Sequence, residues 1–194
     1  MALKTFVKIN SINNLSDARY CAGMGVDVMG FNIDHESSGF VTKESFDEIT
    51  GWVSGPEMAL ELGNSKEGIE DYKANYLEAS DALVLQKSAD KADKRSILKT
   101  TLAQANEYIN DNFDYLHLHS DSDFLTFEEI EAIKKISNSI KVILGYGFTA
   151  DNIESILKET GVHGIAITAG EEIRPGYKDF DELADILELL EVDD

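Results

Sequence analysis

Cysteine and proline are scarce in this sequence. Cys21 is the single cysteine among 194 residues, so no disulfide can form within the chain. There are two prolines and no stretch rich in serine and glycine, which argues against a linker between domains. Because 43% of the residues are hydrophobic, the chain can bury one substantial core. We therefore predict a single domain over residues 1–194.

Long apolar runs are also missing. Stretches such as 142–144 are far shorter than the roughly 20 residues needed to cross a bilayer, so we predict no membrane span. The segment from Met1 to Ile9 has no basic region, long apolar run or small-residue cleavage site of the kind found in secretion signals. Together with the lone cysteine, these absences predict a cytoplasmic protein.

Positive charge is in short supply. The 17 Lys and Arg residues face 37 Asp and Glu residues, which gives a formal net charge of −20 at pH 7. This charge repels phosphate backbones, so we predict no nucleic-acid partner. An acidic surface mainly aids solubility and does not identify a function.

Short apolar runs alternate with amphipathic segments of helical period, which is typical of β–α units around a parallel sheet. The runs predict eight strands, at Phe6–Asn10, Val28–Ile33, Met58–Leu62, Ala82–Gln86, Ile97–Thr101, Tyr115–His119, Lys141–Gly145 and Gly164–Thr168. Helices are predicted at Ser16–Met24, Lys43–Trp52, Lys66–Asn75, Thr101–Asn112, Thr126–Ser137, Thr149–Thr160 and Asp179–Leu190, with a weak one near Ala89–Lys94.

The spacing of these units favours a closed barrel over an open doubly wound sheet. Eight units in 194 residues leave about 24 residues for each, near the lower limit for a compact (β/α)8 barrel with short loops. Ser16 and Thr149 have acids shortly after them and are predicted to cap helices. Gly161 is predicted to end the seventh helix.

Three segments carry motifs at the ends of predicted strands. Residues 7–12 read VKINSI and are followed by LSDA at 15–18, similar to a family opening of VKICGI and LEDA. Residues 144–153 read LGYGFTADNI, similar to LSGGLNPENV, and residues 169–179 read AGEEIRPGYKD, similar to SSGVE and PGxKD. Together they resemble the phosphoribosylanthranilate isomerase family, (β/α)8-barrel enzymes of tryptophan biosynthesis. The resemblance spans nearly the whole chain, although the middle carries almost no motif.

The resemblance implies an Amadori rearrangement, in which an acid opens a furanose ring and a base removes a proton from C2. The family's base is the cysteine of KICG, and Asn10 stands there with a neutral amide. The family's acid is an aspartate at the end of the sixth strand, and Leu118 or His119 replaces it, depending on register. Cys21, on the first helix, is expected to be an ordinary buried thiol. We therefore predict that the chain does not catalyse the isomerisation.

A histidine offers an alternative to this prediction. Alternation along the sixth strand turns Leu116 and Leu118 outward, and Tyr115, His117 and His119 into the barrel. His119 would then lie at the C-terminal mouth, where barrel enzymes do their chemistry. An active isomerase, or an enzyme of changed chemistry, would use His119 with Asp121 or Asp123.

The resemblance also implies a phosphate site that is altered here. The family's second-loop arginine is Gly39, its strand-eight aspartate is Ala166, and one of two adjacent glycines is Tyr146, whose ring we expect to crowd the turn. Glu171 and Glu172 would oppose a dianion. We expect any small phosphorylated or anionic ligand to contact Gly145, Tyr146, Gly147, Thr168, Ala169 and Gly170, with Gly147 and Gly170 at helix starts.

Two other interpretations remain. His117 and His119, with Asp121 and Asp123 close behind, have a spacing that Zn²⁺ accepts, but the HxH pattern is weak and we predict neither metal nor cofactor. The acidic segment 181–191 could bind a partner, yet its apolar face more simply closes the barrel. Either a monomer or a homodimer is compatible with the sequence.

Overall fold

The computed structural model describes residues 2–65, 68–168, 172–174, 177–178 and 181–192. Eight parallel strands close a barrel in chain order, because β8 pairs with β1 along its whole length. This confirms the predicted (β/α)8 barrel. The strands are β1 Phe6–Asn10, β2 Val28–Asn32, β3 Glu57–Glu61, β4 Tyr76–Ala79, β5 Arg95–Thr100, β6 Tyr115–Leu118, β7 Val142–Leu144 and β8 Gly164–Thr168.

Helices cover the outside of the barrel. They are α1 Leu15–Gly23, α2 Lys43–Thr50, α3 Ala82–Ala92, α4 Leu102–Ala105, α5 Phe127–Ser137, α6 Ile153–Thr160 and α7 Asp181–Leu189, with a 3-10 helix at Ile69–Asp71. After β8, the strands β9 Glu172–Arg174 and β10 Tyr177–Lys178 pair antiparallel. In the part of the chain that the structure describes, every helix is too short or too polar to span a membrane.

The fourth unit differs from the prediction. The segment Ala82–Gln86, predicted as a strand, is the start of α3, because Asp81 caps this helix by accepting from the amides of Leu83 and Val84. The strand of this unit is β4, which lies beyond the predicted helix Lys66–Asn75. Within the described part of that predicted helix, the 3-10 helix Ile69–Asp71 is the helical segment.

Two further helices were misjudged in extent. The weak helix predicted near Ala89–Lys94 is the end of α3, which stops where Asp93 turns left-handed at φ 51°. The helix predicted over Thr101–Asn112 shrinks to α4, because the asparagines and aspartate of residues 106–112 favour turns over continued helix.

The capping predictions were partly wrong. Asn14, not Ser16, caps α1 by accepting from the amide of Asp17. Asn152, not Thr149, is the N-cap of α6, and its side chain instead accepts from the Thr149 amide. The prediction for Gly161 is confirmed, since it ends α6 in the left-handed conformation at φ 62°.

The core has two parts. The larger apolar layer lies between barrel and helices, and it includes Leu183, Ile186, Leu187 and Leu190 at the C-terminal end. The prediction that this helix closes the barrel is therefore confirmed. A smaller cluster fills the barrel interior and contains Phe6, Val28, Ala59, Tyr76, Ile97, Tyr115, Ile143 and Ala166.

Aromatic rings form the floor of this interior cluster. Phe6 stacks on Tyr115 at 5.6 Å between ring centroids, and Tyr76 meets Tyr115 edge-on at 5.9 Å. The Arg95 guanidinium lies 3.8 Å from the Tyr76 ring centroid and pairs with Glu57. These residues lie at the start of their strands, so the N-terminal end of the barrel is filled and polar side chains are left for the opposite end.

Gly164 permits the pairing that closes the barrel. It lies opposite Phe6 in the β1–β8 register, and a Cβ added to Gly164 would overlap the Phe6 carbonyl oxygen. Backbone cannot yield as a flexible side chain can, so a larger residue must separate the two strands.

We predict that Gly164→Ala lowers the free energy of unfolding by about 1–3 kcal/mol or more, because it overpacks a backbone contact. Urea unfolding followed by circular dichroism measures this change. Gly23→Ala is the matched control, since a Cβ at Gly23 meets nothing within 4 Å. Equal effects of the two substitutions would contradict this account of barrel closure.

Candidate functional site

A buried network of charged side chains lies one layer above the interior apolar cluster. Lys8 of β1 is fully buried, and its Nζ lies 3.0 Å from Glu61 Oε1 of β3 and 3.1 Å from Glu78 Oε2 of β4. His117 of β6 places Nδ1 3.1 Å from the same Glu78 oxygen, so its imidazole N–H donates to that carboxylate. Four strands thus converge on one ion cluster.

Burial and neighbouring charges shift the pKa values of Lys8 and Glu78 in opposite directions. Burial alone would lower the pKa of Lys8, but the charges of Glu61 and Glu78 outweigh it and raise that pKa. Burial alone would raise the pKa of Glu78, but Lys8 and His117 reverse this and lower it. Both groups therefore remain charged across the neutral range. Lys8 and Glu78 are thus fixed charges and do not readily exchange protons near neutral pH.

Two glycines make room for the network. A Cβ at Gly30 of β2 would overlap the Glu61 carboxylate, and a Cβ at Gly145, just after β7, would lie 2.5 Å from His117 Nε2. Each glycine is needed because a charged side chain occupies the place beside its Cα. Gly145, which is also predicted to contact a ligand, is therefore required to leave space for His117.

Asn10 is tied into the same cluster. Its Oδ1 accepts a hydrogen bond from Lys8 Nζ, and its Nδ2 donates to Thr168 Oγ1 at 3.3 Å. The next residue, Ser11, adopts φ 55° and donates from its amide and hydroxyl to Glu61 at 3.2 and 3.0 Å. The residue at the end of β1 is thus a neutral amide with both of its polar atoms engaged.

The sixth strand presents its side chains as alternation predicted. Leu116 and Leu118 pack in the outer apolar layer, whereas Tyr115 lies in the interior cluster and His117 reaches across the barrel to Glu78. Leu118 consequently faces the helices and not the mouth. Alternation is thus confirmed for His117, whose side chain lies at the inner face of the barrel.

His119 follows β6 at the mouth and is half-buried. Burial, followed by the nearby charge of Lys99 and by His117, lowers the pKa of His119, while Asp121 and Glu78 act in the opposite direction. Its imidazole is therefore mostly neutral at pH 7 and able to accept a proton. Asp121 and Asp123 are exposed in the following loop.

A cavity of about 480 Å³ opens beside these loops. Its wall includes Asp121 and Asp123, the turn from Gly145 to Thr149, and Thr168 at the end of β8. Tyr146 touches the cavity, but its side chain is buried in the outer apolar layer, which raises the pKa of Tyr146 to about 12.

Of the two glycines predicted at helix starts, Gly147 lies among the described residues. Gly147 has φ 77° with the Leu125 side chain beneath it, but it lies six residues before α6 and not at the helix start. Ala169, Gly170 and Glu171 lie outside the described residues. Glu172 lies in β9, which pairs with β10.

Other candidates from the sequence are accounted for by packing. Cys21 is buried in the outer apolar layer, and Ala166 lies in the interior cluster. His117 is engaged with Glu78, and no group of three or more His, Cys, Asp or Glu residues suited to a metal ion occurs among the residues with described positions.

Sequence reasoning missed Lys8, Glu61, Glu78 and Ser11. The signal was present, since each charged residue interrupts an apolar strand, as in residues 57–61 (EMALE) and 76–79 (YLEA). A carboxylate in such a run points to a buried partner because an unpaired buried charge is costly.

Comparison with known proteins confirms the resemblance stated from the motifs. The N-(5'-phosphoribosyl)anthranilate isomerase of Aquifex aeolicus is 25% identical over 93% of this chain and 96% of its own length. The crystal structure of phosphoribosyl anthranilate isomerase from Thermotoga maritima matches with a TM-score of 0.78 at 20% identity, covering 96% of this chain and 98% of that one. No protein-family model matches the sequence.

A further solved structure is that of phosphoribosyl anthranilate isomerase in complex with reduced 1-(o-carboxyphenylamino)-1-deoxyribulose 5-phosphate. It matches with a TM-score of 0.76 at 20% identity and covers 96% of this chain and 98% of that one. At such identities the structural likeness establishes the shared fold.

We predict that Lys8→Met lowers the free energy of unfolding by about 3–5 kcal/mol, because it leaves two carboxylates without their buried counter-charge. Urea unfolding at neutral pH measures the loss. Lys91→Met removes the same charge from an exposed pair with Glu70 and is expected to change stability little. A mild effect of Lys8→Met would show that the carboxylates find other partners.

The network also predicts a pH dependence. Because the pKa of Glu78 is lowered in the folded chain, its ionised form contributes stability above the ordinary glutamate value of 4.5, and this contribution is lost as pH falls below it. The native chain should therefore exceed Glu78→Gln in unfolding free energy at pH 7, and the difference should shrink between pH 5 and pH 3. A difference independent of pH would contradict the assignment.

Proposed function

We propose that this chain is a phosphoribosylanthranilate isomerase-like barrel that does not catalyse the Amadori isomerisation and that keeps a small-ligand pocket at its C-terminal mouth. The observation that carries the proposal is the state of Asn10. At the position where the resemblance places the catalytic base, a neutral amide accepts a hydrogen bond from the Lys8 ammonium.

An amide in this position cannot replace a thiolate. Removing a proton from carbon requires a group that binds the proton and becomes its conjugate acid near neutral pH. The Asn10 oxygen already accepts from a charged donor, which lowers its basicity further. Neighbouring Glu61 and Glu78 are held by Lys8, so neither carboxylate is poised as a substitute base.

The ligand pocket is argued from the shape of the mouth. The cavity beside the Gly145–Thr149 turn offers backbone groups and the hydroxyls of Ser120 and Thr168, which suit polar small molecules. Asp121 and Asp123 on its wall oppose a doubly charged phosphate. A phosphosugar would consequently be held here more weakly than a neutral or singly charged ligand.

A second candidate function is catalysis of a changed reaction. It is favoured by one observation, the half-buried His119 with a lowered pKa at the mouth. A neutral imidazole beside Asp121 is a competent general base, and barrels of one fold carry many different chemistries.

We expect no turnover of phosphoribosylanthranilate by the purified chain above the rate in buffer. The reason is the absence of a base at Asn10, and a steady-state assay of substrate loss measures it. Circular dichroism of the same sample establishes that the barrel is folded.

His119→Ala and His163→Ala serve as a matched pair for the alternative. His163 lies near the ring of Phe6 at the floor of the barrel, far from the mouth. Turnover in the native chain that His119→Ala abolishes and His163→Ala retains would overturn the proposal and favour catalysis by His119.

A further inference from the structure

A second cavity, of about 390 Å³, opens at the mouth on the side of β1 to β5. Its wall includes Ser11, Asn32, Glu61, Glu78, Asp81 and Lys99. The cavity is lined by other strands than the one beside the glycine turn. It therefore offers a separate place for a ligand within the same barrel end.

Most charged groups of this wall are already paired. Glu78 is held by Lys8 and His117, Glu61 by Lys8 and Ser11, and Asp81 caps α3 through one oxygen.

Lys99 is the exception. It lies near the C-terminal end of β5, paired in register with His117 of β6, and its side chain is half-buried. Its ammonium makes no hydrogen bond and no ion pair with any residue that the structure describes. The charge of Lys99 acts on Glu78 and helps to lower the pKa of that carboxyl, but no carboxylate oxygen of the described residues is in direct contact with the ammonium. An ammonium that lines a cavity without a direct hydrogen bond is able to receive an anionic group from a ligand.

We propose that Lys99 is the anion-recognising residue of a site in this cavity, and that the site takes a small hydroxylated carboxylate. The ligand carboxylate pairs with Lys99, and ligand hydroxyls donate to the carboxylates of Glu61 and Asp81. This inference goes beyond the proposed function, because it concerns a different cavity from the one beside the glycine turn, and it does not depend on the loss of isomerisation.

The charges of the wall favour this class of ligand over phosphate. Glu61, Glu78 and Asp81 repel any anion, and the repulsion is twice as large for a dianion as for a single carboxylate. The same oxygens accept hydrogen bonds from hydroxyl groups, which carry no charge to repel. A ligand with one carboxylate and several hydroxyls can thus pair with the Lys99 ammonium and also donate hydrogen bonds to the carboxylates of the wall.

The pKa of His119 should change when a ligand binds to Lys99. The charge of Lys99 is one of the causes that hold the pKa of His119 below its ordinary value, behind burial and ahead of His117. Asp121 and Glu78 act on His119 in the opposite sense. A carboxylate on Lys99 offsets its charge, so the pKa of His119 should rise toward its ordinary value when the site is filled.

D-gluconate is the probe, and proton NMR of the histidine rings is the measurement. Gluconate is expected to shift the His119 resonance saturably and to raise its pKa, while His163 at the floor of the barrel does not respond. Sorbitol, which has the hydroxyls without the carboxylate, is expected to give no shift.

Lys99→Met is expected to weaken gluconate binding about tenfold or more, the loss of one charge-assisted hydrogen bond. Lys141→Met is the matched control, because it removes the same charge beside Tyr115 at the floor of the barrel and should leave binding unchanged. Circular dichroism checks folding, and Lys99→Gln replaces the methionine variant if that variant does not fold.

Three results would overturn the proposal. They are the absence of a gluconate shift, equal binding by Lys99→Met and the native chain, and tighter binding of inorganic phosphate than of gluconate through Lys99. Turnover of phosphoribosylanthranilate by a chain that still binds gluconate through Lys99 would instead refute only the loss of isomerisation.

Discussion

The fully buried ammonium of Lys8 is the interaction on which the upper half of the barrel depends. It lies among strands β1, β3 and β4, and through Glu78 it reaches His117 on β6. A buried charge tolerates little misplacement, because each ångström of separation weakens a pairing that offsets a large desolvation cost. The register of these strands, and the absence of side chains at Gly30 and Gly145, follow from this requirement.

The same ammonium decides what chemistry the mouth can offer. By donating to Asn10 it holds the end of β1 in a neutral state, and by pairing with Glu61 and Glu78 it withdraws their carboxylates from proton transfer. Two groups at the mouth are not held by Lys8: His119, whose pKa is lowered, and Lys99, which lines the second cavity. Both lie at the C-terminal ends of β5 and β6. The groups available for proton transfer or ligand binding therefore lie on another part of the rim than the end of β1, where the resemblance places the base.

The barrel could be predicted from the sequence because most strands are apolar runs. The prediction of the fourth strand was wrong because that strand is short and contains a charged residue. β4 has four residues and includes Glu78, whereas the apolar residues after Asp81 looked like a strand but form α3. Asn10 and His119 could be identified from motif and alternation. The charged residues that interrupt apolar runs could have been noticed too, but not which of them pair with Lys8, because those partners are 53 and 70 positions away in the chain and only the closed barrel brings them together.

The aromatic floor made by Phe6, Tyr76 and Tyr115 fills the N-terminal end of the barrel interior. These packed side chains separate a ligand at the mouth from the opposite end of the barrel. The loops at the rim therefore lie on the route by which a ligand of either cavity would enter and leave. Substitutions in the floor are therefore expected to change the stability of the barrel and not the access of ligands to its mouth.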